Sequence, residues 1–464
     1  MRFKSLFFVV ALFITIAASA GPTDNVIFRV EIDGKWGYLN AKGEYLVTPQ
    51  FDHAYEFSDC GLACVKLGNK YGFVDTTGKI VIEPQFDYVS DFIFTNNRTV
   101  VHINKKYGVI DKTGKYVIEP QYNYIFIGKP SSNGLAPILI NKKGFINKNG
   151  NIVIEPIYDD AGHFSNGLAP VKQNGKWGYI DTTGKFIIQP TFDNAQDFFE
   201  EFAAVDIKHK YGYIDSTGKV IFFSHFRIIN ELNKNYVRII SKKLKYGFIN
   251  IKGNIIVEPQ YNWIGEFQEN GLACVRQKDI WGYIDTTGMF VIKPQFGYAG
   301  DFSSDGLAKV KAYGIDQYGK YGFINTSGEI VIPIQYDCIG NFSNGLAYIG
   351  EINYLTNKYK NFGYIDKTGN IVIKQQFQKA YDFGENGLAR VVINNKYAFI
   401  DKTGNFVGQK FDQAWDFQEN GLAKIKIDGK YGYIDSTGNY VIEPLYDYIN
   451  FAYPSEYELK KIRW

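Results

Sequence analysis

Acidic side chains return at fixed points of this sequence, and a carboxylate so placed can hold calcium, move a proton or fasten a turn. One series opens an Asp-x-x-Gly turn: Asp75, Asp111, Asp181, Asp215, Asp285, Asp366, Asp401 and Asp435, with Asn40, Asn147, Asn250 and Asn325 in the same slot elsewhere. Calcium binding or acid–base work would suffer from loss of the charge, whereas an Asx turn needs only a side-chain oxygen, so the interchange points to structure. A second series, Asp52, Asp87, Asp159, Asp193, Asp337, Asp412 and Asp447, gives way in the same manner to Asn123, Asn262, Gly297 and Gln378. Capping the loop that follows is role enough for it. The histidines, His53, His102, His163, His209 and His225, fall at unrelated slots without metal-ligand spacing. The sequence has no GxSxG, no phosphate-cradling glycine loop and no Cys/His pair of nucleophile type. We therefore expect no enzyme, no cofactor and no metal. A hydrolase built from carboxylates of different repeats stays open as an alternative, and it requires two of them to converge in a cleft.

These groups must be positioned by a repeat. The stretch Gly167–Phe198, GLAPVKQNGKWGYIDTTGKFIIQPTFDNAQDF, is rewritten along the whole chain, and its aromatic-Gly centre recurs at Trp36, Tyr71, Tyr107, Trp177, Tyr211, Tyr246, Trp281, Tyr321, Phe362 and Tyr431. Lys143-Gly144 and Tyr397-Ala398 fill the slot with one member changed, which makes 12 copies. Within a copy, two β-compatible runs flank Asn174-Gly175, a strong hairpin signal. The Asp181 turn leads to a third strand, an apolar run that suggests burial on both faces, and Pro190 ends it. The slot that follows is aromatic in every copy, such as Phe192 or Tyr446, and reads as a core plug. The FDxAxxF segment is compatible with a single helical turn. One copy of about 35 residues cannot bury enough surface to fold alone, so the copies must stack into a continuous body. The class is all-β, a tandem array of about twelve three-strand repeats, expected as an open solenoid with a closed toroid or propeller-like ring as the alternative.

The pattern KWGYID-TTGK, three apolar residues, x-P-x-FD-x-A-x-x-F-x-x-GLA-x-V resembles the bacterial WG-repeat (KWG) family from about Val26 to Ile449. That resemblance implies β-rich arrays, often exported, without a common catalytic activity and with roles in binding or scaffolding. Departures cluster at Phe222–Lys245, which lacks both the proline and the GLA. We accordingly divide the chain into a segment 1–20, a first array 21–222, a degenerate repeat 223–245 where the array could bend, a second array 246–450 and a tail 451–464.

Residues 1–20 combine Arg2 and Lys4, the apolar run LFFVVALFITIA and Ala18-Ser19-Ala20, the layout of a cleaved secretory signal peptide. The expected mature chain is exported, to periplasm, cell surface or medium, and has no transmembrane segment. Removing Arg2 and Lys4 from the 51 basic residues leaves them balanced by 48 acidic ones, which argues against nucleic acid as a partner. Cys60, Cys64, Cys274 and Cys338 occupy tolerant slots, so disulfides are not expected; a Cys64–Cys274 bridge would require the array to close on itself.

Aromatic residues are in surplus, with Trp177 and Tyr179 alternating on one strand face opposite Lys172 and Pro170. Buried, such a ladder is the core between repeats; exposed, it would make a dedicated carbohydrate or cell-wall binder. The better binding candidate lies where two consecutive copies lengthen their first hairpin: 16 positions separate Gly306 from Gly322 and 18 separate Gly345 from Gly363, against 11 between Gly167 and Gly178. These hairpins offer Tyr313, Asp316, Tyr318, Glu351, Tyr354 and Tyr359 for a protein or polysaccharide partner of the cell envelope.

Overall fold

A computed structural model describes residues 26–452 apart from short stretches at 59, 90–97, 128–130, 132, 148–150, 200, 209, 225, 229–235, 251–253, 315–318, 354 and 357. The segment 1–20 read as a signal peptide, and nearly all of the tail 451–464, lie outside the described residues. Each repeat forms an antiparallel four-stranded meander, one strand more than its sequence announces. In the fifth unit the strands are Asp160–Ala161, Leu168–Gln173, Lys176–Asp181 and Phe186–Phe192. The added strand comes from FDxAxxF: Asp160 and Ala161 pair with Lys172 and Val171, so this segment is a short edge strand and not a helical turn.

The hairpin register is the expected one, with Pro170 opposite Tyr179 and Lys172 opposite Trp177. Against the last strand, Trp177 pairs with Phe192 and Tyr179 with Ile188, so two extra residues bulge out opposite Gly178. Here glycine is required by a close approach. A Cβ on Gly178 would stand 2.5 Å from the Ile188 carbonyl oxygen and 2.7 Å from Pro190 N.

The last strand departs from expectation. Its apolar run is not buried on both faces: Ile188 is buried while Ile187 is 45% exposed, and Val81, Val153, Val291, Val331 and Val372 are exposed likewise. The reason is position, since Ile187 and its equivalents lie on the face of this strand that no neighbouring sheet covers.

We number the sheets 1 to 12 along the chain. Units 8 and 9 share the long strand Phe290–Ala299 and merge into one seven-stranded sheet. Unit 1 supplies only Phe28–Ile32, Lys35–Leu39 and Tyr45–Phe51, and its fourth strand is Tyr448–Phe451 from the far end of the chain. Phe28, Arg29, Val30 and Glu31 pair with Phe451, Asn450, Ile449 and Tyr448.

The packing agrees with this closure. Among the described residues, buried side chains gather in twelve clusters, one between each pair of consecutive units. An open row of twelve sheets has eleven such interfaces. The twelfth joins Phe28, Val30 and Leu39 to Leu422, Tyr433, Ile442 and Tyr446. Among the described residues no sheet closes into a barrel, and the array of sheets returns to its start, the ring that the sequence allowed beside an open solenoid.

Candidate functional site

The two carboxylate series are engaged in structure. Asp181 Oδ1 accepts from Thr183 N, Thr183 Oγ1 and Lys185 N at 2.9, 2.6 and 3.1 Å, and these bonds, the hydroxyl's first, hold its pKa below the usual range. Asn325 makes the same three bonds without the charge. The second series does more than cap a loop. Asp52 takes the Lys35 ammonium on one oxygen and Gly68 N, in the hairpin turn of the next unit, on the other. The Lys35 bond, then the Gly68 bond, depress its pKa. Lys70–Asp87, Lys142–Asp159, Lys176–Asp193 and Lys430–Asp447 repeat the pair 17 residues apart. At the closing interface Asp447 accepts from Asp33 N, so the same bridge fastens unit 12 to unit 1.

The aromatic ladder is largely core. Tyr38, Tyr179, Tyr283 and Tyr364 are fully buried, and each donates its hydroxyl to a backbone carbonyl of the next unit, at Tyr55, Gln196, Gly300 and Tyr381. Trp177 and Trp281 are half-buried against the core. All four cysteines are free thiols; although the array closes, Cys64 and Cys274 sit in units 2 and 8, and burial pushes both thiols up.

The long hairpins belong to the adjacent units 9 and 10. In unit 10 the insertion lengthens the strands themselves, Leu346–Asn353 against Lys358–Asp366, with Glu351 opposite Lys360 and Ile352 opposite Tyr359. Glu351 Oε2 accepts from Asn361 Nδ2 at 2.8 Å, closing the ribbon on itself. Tyr359 is 48% exposed, and burial, then the nearby Cys338, Tyr321 and Asp337, raise its pKa. Tyr321 also carries the Lys311 ammonium over its ring at 5.7 Å. Tyr313 is exposed at the start of the unit 9 loop. The structure thus brings Tyr359 near Tyr321 of unit 9 and leaves Glu351 in a local bond. Asp316, Tyr318 and Tyr354 lie outside the described residues.

The sequence reading missed a slot, the residue between Ala and Val in GLA-x-V. It is neutral in units 2 to 6, 8 and 10, as Cys64, Val100, Pro137, Pro170, Ala204, Cys274 and Tyr348, and cationic in unit 7 as Arg238. In units 9, 11, 12 and 1 it is Lys309, Arg390, Lys424 and Arg29, each half-buried. Arg390 meets Asp416 of unit 12, and Arg29 lies 4.0 Å from Glu56 of unit 2. Burial lowers the pKa of Lys309 and raises that of Asp382, whose charge the neighbouring Asp416 also disfavours. Asp416, however, is exposed and bound to Arg390. The signal was available: the slot holds a cation in units 1, 7, 9, 11 and 12 and a neutral side chain in the others.

Among the described residues no helix is long and apolar enough to cross a membrane, and no group of three or more His, Cys, Asp or Glu could hold a metal ion. A closed ring of four-stranded repeats with an aromatic-Gly centre defines the class. The WG containing repeat family matches residues 36–71, 71–107, 107–143, 144–177, 177–210, 246–279, 281–314, 321–350, 362–397, 398–431 and 431–454, and the chain belongs to it. The unmatched 211–245 takes in the degenerate repeat. No curated protein matches in sequence.

Three solved structures are similar at low level. A eukaryotic initiation factor shares 13% identity at TM-score 0.32, over 84% of this chain and 97% of its own. The extracellular domain of a putative one-component system from B. thetaiotaomicron shares 11% at 0.23, over 91% and 70%. PorZ, a surface component of the type-IX secretion system of Porphyromonas gingivalis, shares 9% at 0.21, over 88% and 65%. Likeness at these scores carries no argument about this chain.

Proposed function

We propose that this chain is a non-enzymatic, exported binding or scaffolding protein that grips a protein or polysaccharide of the cell envelope. The observation that carries the reading is the adjacency of the two departures by addition: the hairpins of units 9 and 10 lengthen side by side and offer Tyr313 and Tyr359 to solvent. Insertions at equivalent points of neighbouring repeats emerge on the same side of an array, where binding residues concentrate. The acidic groups that could have served catalysis are spent on turns and on bridges between units. Export is supported by the layout of residues 1–20.

The test is capture from fractionated cell envelope by residues 21–464, beside a variant whose two hairpins are cut to the ordinary length. Loss of a captured protein band in the shortened variant places the site at residues 311–320 and 350–361. Retention on polysaccharide that ignores the hairpins moves the site elsewhere on the ring.

A further inference from the structure

One interface of the ring differs from its neighbours in charge. Unit 11 shows the complete arrangement: the Arg390 guanidinium lies 3.9 Å from the Tyr381 ring centroid and 5.7 Å from that of Tyr397, and its Nη2 donates to Asp416 Oδ2 of unit 12 at 3.1 Å. Unit 12 rebuilds this with Lys424 in the Arg390 slot, Trp415 in place of Tyr381 and Tyr431 in place of Tyr397. Lys424 Nζ stands 5.6 and 4.7 Å from those ring centroids and 4.9 Å from that of Tyr448 on the closing strand.

The carboxylate is what unit 12 lacks. Phe451 packs on Tyr433 as Phe417 packs on Phe399, with centroids 4.9 and 4.7 Å apart. The residue before Phe417 is Asp416, but the residue before Phe451 is Asn450, whose amide oxygen takes the Tyr433 hydroxyl. Among the described residues no carboxylate pairs with Lys424. Its charged neighbours are cations: burial, then Arg29 and Lys426, lower its pKa to about 8. Lys426 itself leans on the Tyr431 ring at 4.6 Å. Arg29 shares the Tyr448 ring at 5.7 Å, and its Nε is buried without a hydrogen-bond partner.

We propose that the seam between units 12 and 1 binds the carboxylate of an acidic polysaccharide, with Lys424 as the cation and Trp415 and Tyr448 as faces on which the sugar ring lies. The proposal deepens the binding reading above and rests on it. The ligand's carboxylate takes the position that Asp416 fills one unit earlier, beside three cations. Trp415 is 39% exposed and offers a broad apolar face, which suits the C–H face of a pyranose better than a flexible acidic side chain.

The experiment is titration calorimetry of residues 21–464 with polygalacturonate, its methyl ester and polyglutamate, for the parent, Lys424→Gln and Asn450→Asp, each checked by its melting temperature. Asn450→Asp supplies the missing carboxylate from within. Polygalacturonate should bind, and the uncharged ester, Lys424→Gln and Asn450→Asp should each weaken binding about tenfold or more, the loss of one charge-assisted contact. Equal binding of the ester, or an unaffected Lys424→Gln that melts like the parent, overturns the site. Preference for polyglutamate overturns the ligand class. Binding that appears only in a chain ending at Ala452 assigns the seam to residues 453–464 instead. Absence of polygalacturonate binding with envelope capture retained refutes the seam alone, whereas loss of all capture refutes the binding reading too.

Discussion

Replacing Gly178 by alanine should damage this ring more than its size suggests. The new Cβ would meet the Ile188 carbonyl oxygen at 2.5 Å, Pro190 N at 2.7 Å and Gln189 C at 2.8 Å, all backbone atoms that no rotamer change can move. Favourable carbon contacts begin near roughly 3.5 Å, so the bulged strand must retreat by about 0.7–1 Å. Overpacking costs about 1–3 kcal/mol, and a backbone clash belongs at the upper end. Unfolding entropy of about 2.1 cal/mol/K per residue over about 430 residues converts 3 kcal/mol into a fall in Tm of about 3 °C, if the ring melts as one body.

Unit 11 provides the control, because Ala398 already stands in that slot. Its last strand, Phe406–Phe411, is one residue shorter than the usual seven, and Gly408 at φ +70° turns the bulge aside. The glycine has in effect moved to the opposite strand. Ala398→Gly should therefore cost no more than about 1 kcal/mol. Gly408→Ala should match Gly178→Ala, since its Cβ would lie 2.9 Å from Gly438 Cα. Scanning calorimetry of the three variants decides the matter. Equal melting of Gly178→Ala and Ala398→Gly would refute the reasoning.

Three further outcomes are expected. Val30→Cys with Ile449→Cys, in a chain whose four native cysteines are replaced, should form an intramolecular disulfide, because these residues are ladder partners; a non-reducing gel showing only intermolecular species would exclude the ring. Acidification should lower the melting temperature. Asp52 and Asp181 have folded pKa values below their unfolded ones, so their contribution is present above the ordinary carboxylate range and is lost as pH falls through the folded values; a Tm constant from pH 6 to pH 3 would contradict this. In the native state a thiol reagent should label Cys60 and Cys338 before the buried Cys64 and Cys274, and simultaneous labelling of all four would mean that units 2 and 8 open readily.

Much of this architecture could be read from residue order. Asn174-Gly175 marks its hairpin, Asp181 and Gly184 mark the next turn, and the Trp177–Lys172 register follows from a two-residue loop. What escaped were relations between units. Two residues such as Asn194-Ala195 give too short a run to announce a strand, and only their pairing with Asp206 and Val205 makes one. Ile187 reads as core by composition and is exposed because it lies on the face of its strand that no neighbouring sheet covers. Closure depends on Tyr448–Phe451 meeting Phe28–Glu31, and no local pattern encodes a contact more than 400 residues long. Of the candidate site, the hairpin insertions were countable, while the cation slot showed its meaning only once Lys424 could be set beside Arg390 in space.

The closing strand also bears on how the chain is made. Loop closure grows only slowly more costly with length, yet it must wait for both partners to exist. As the chain emerges N-terminus first, units 2 to 11 can stack in order, while the edge formed by Phe28–Ile32 stays unpaired until Tyr448–Phe451 arrives. During that interval Phe28, Val30 and Leu39 have no covering sheet, and an exposed strand edge invites pairing with a second chain. Two nascent copies could complete each other's first unit and exchange ends. A chain interrupted before Tyr448 would keep that edge for good, so loss of the last 17 residues should cause aggregation more than lost binding.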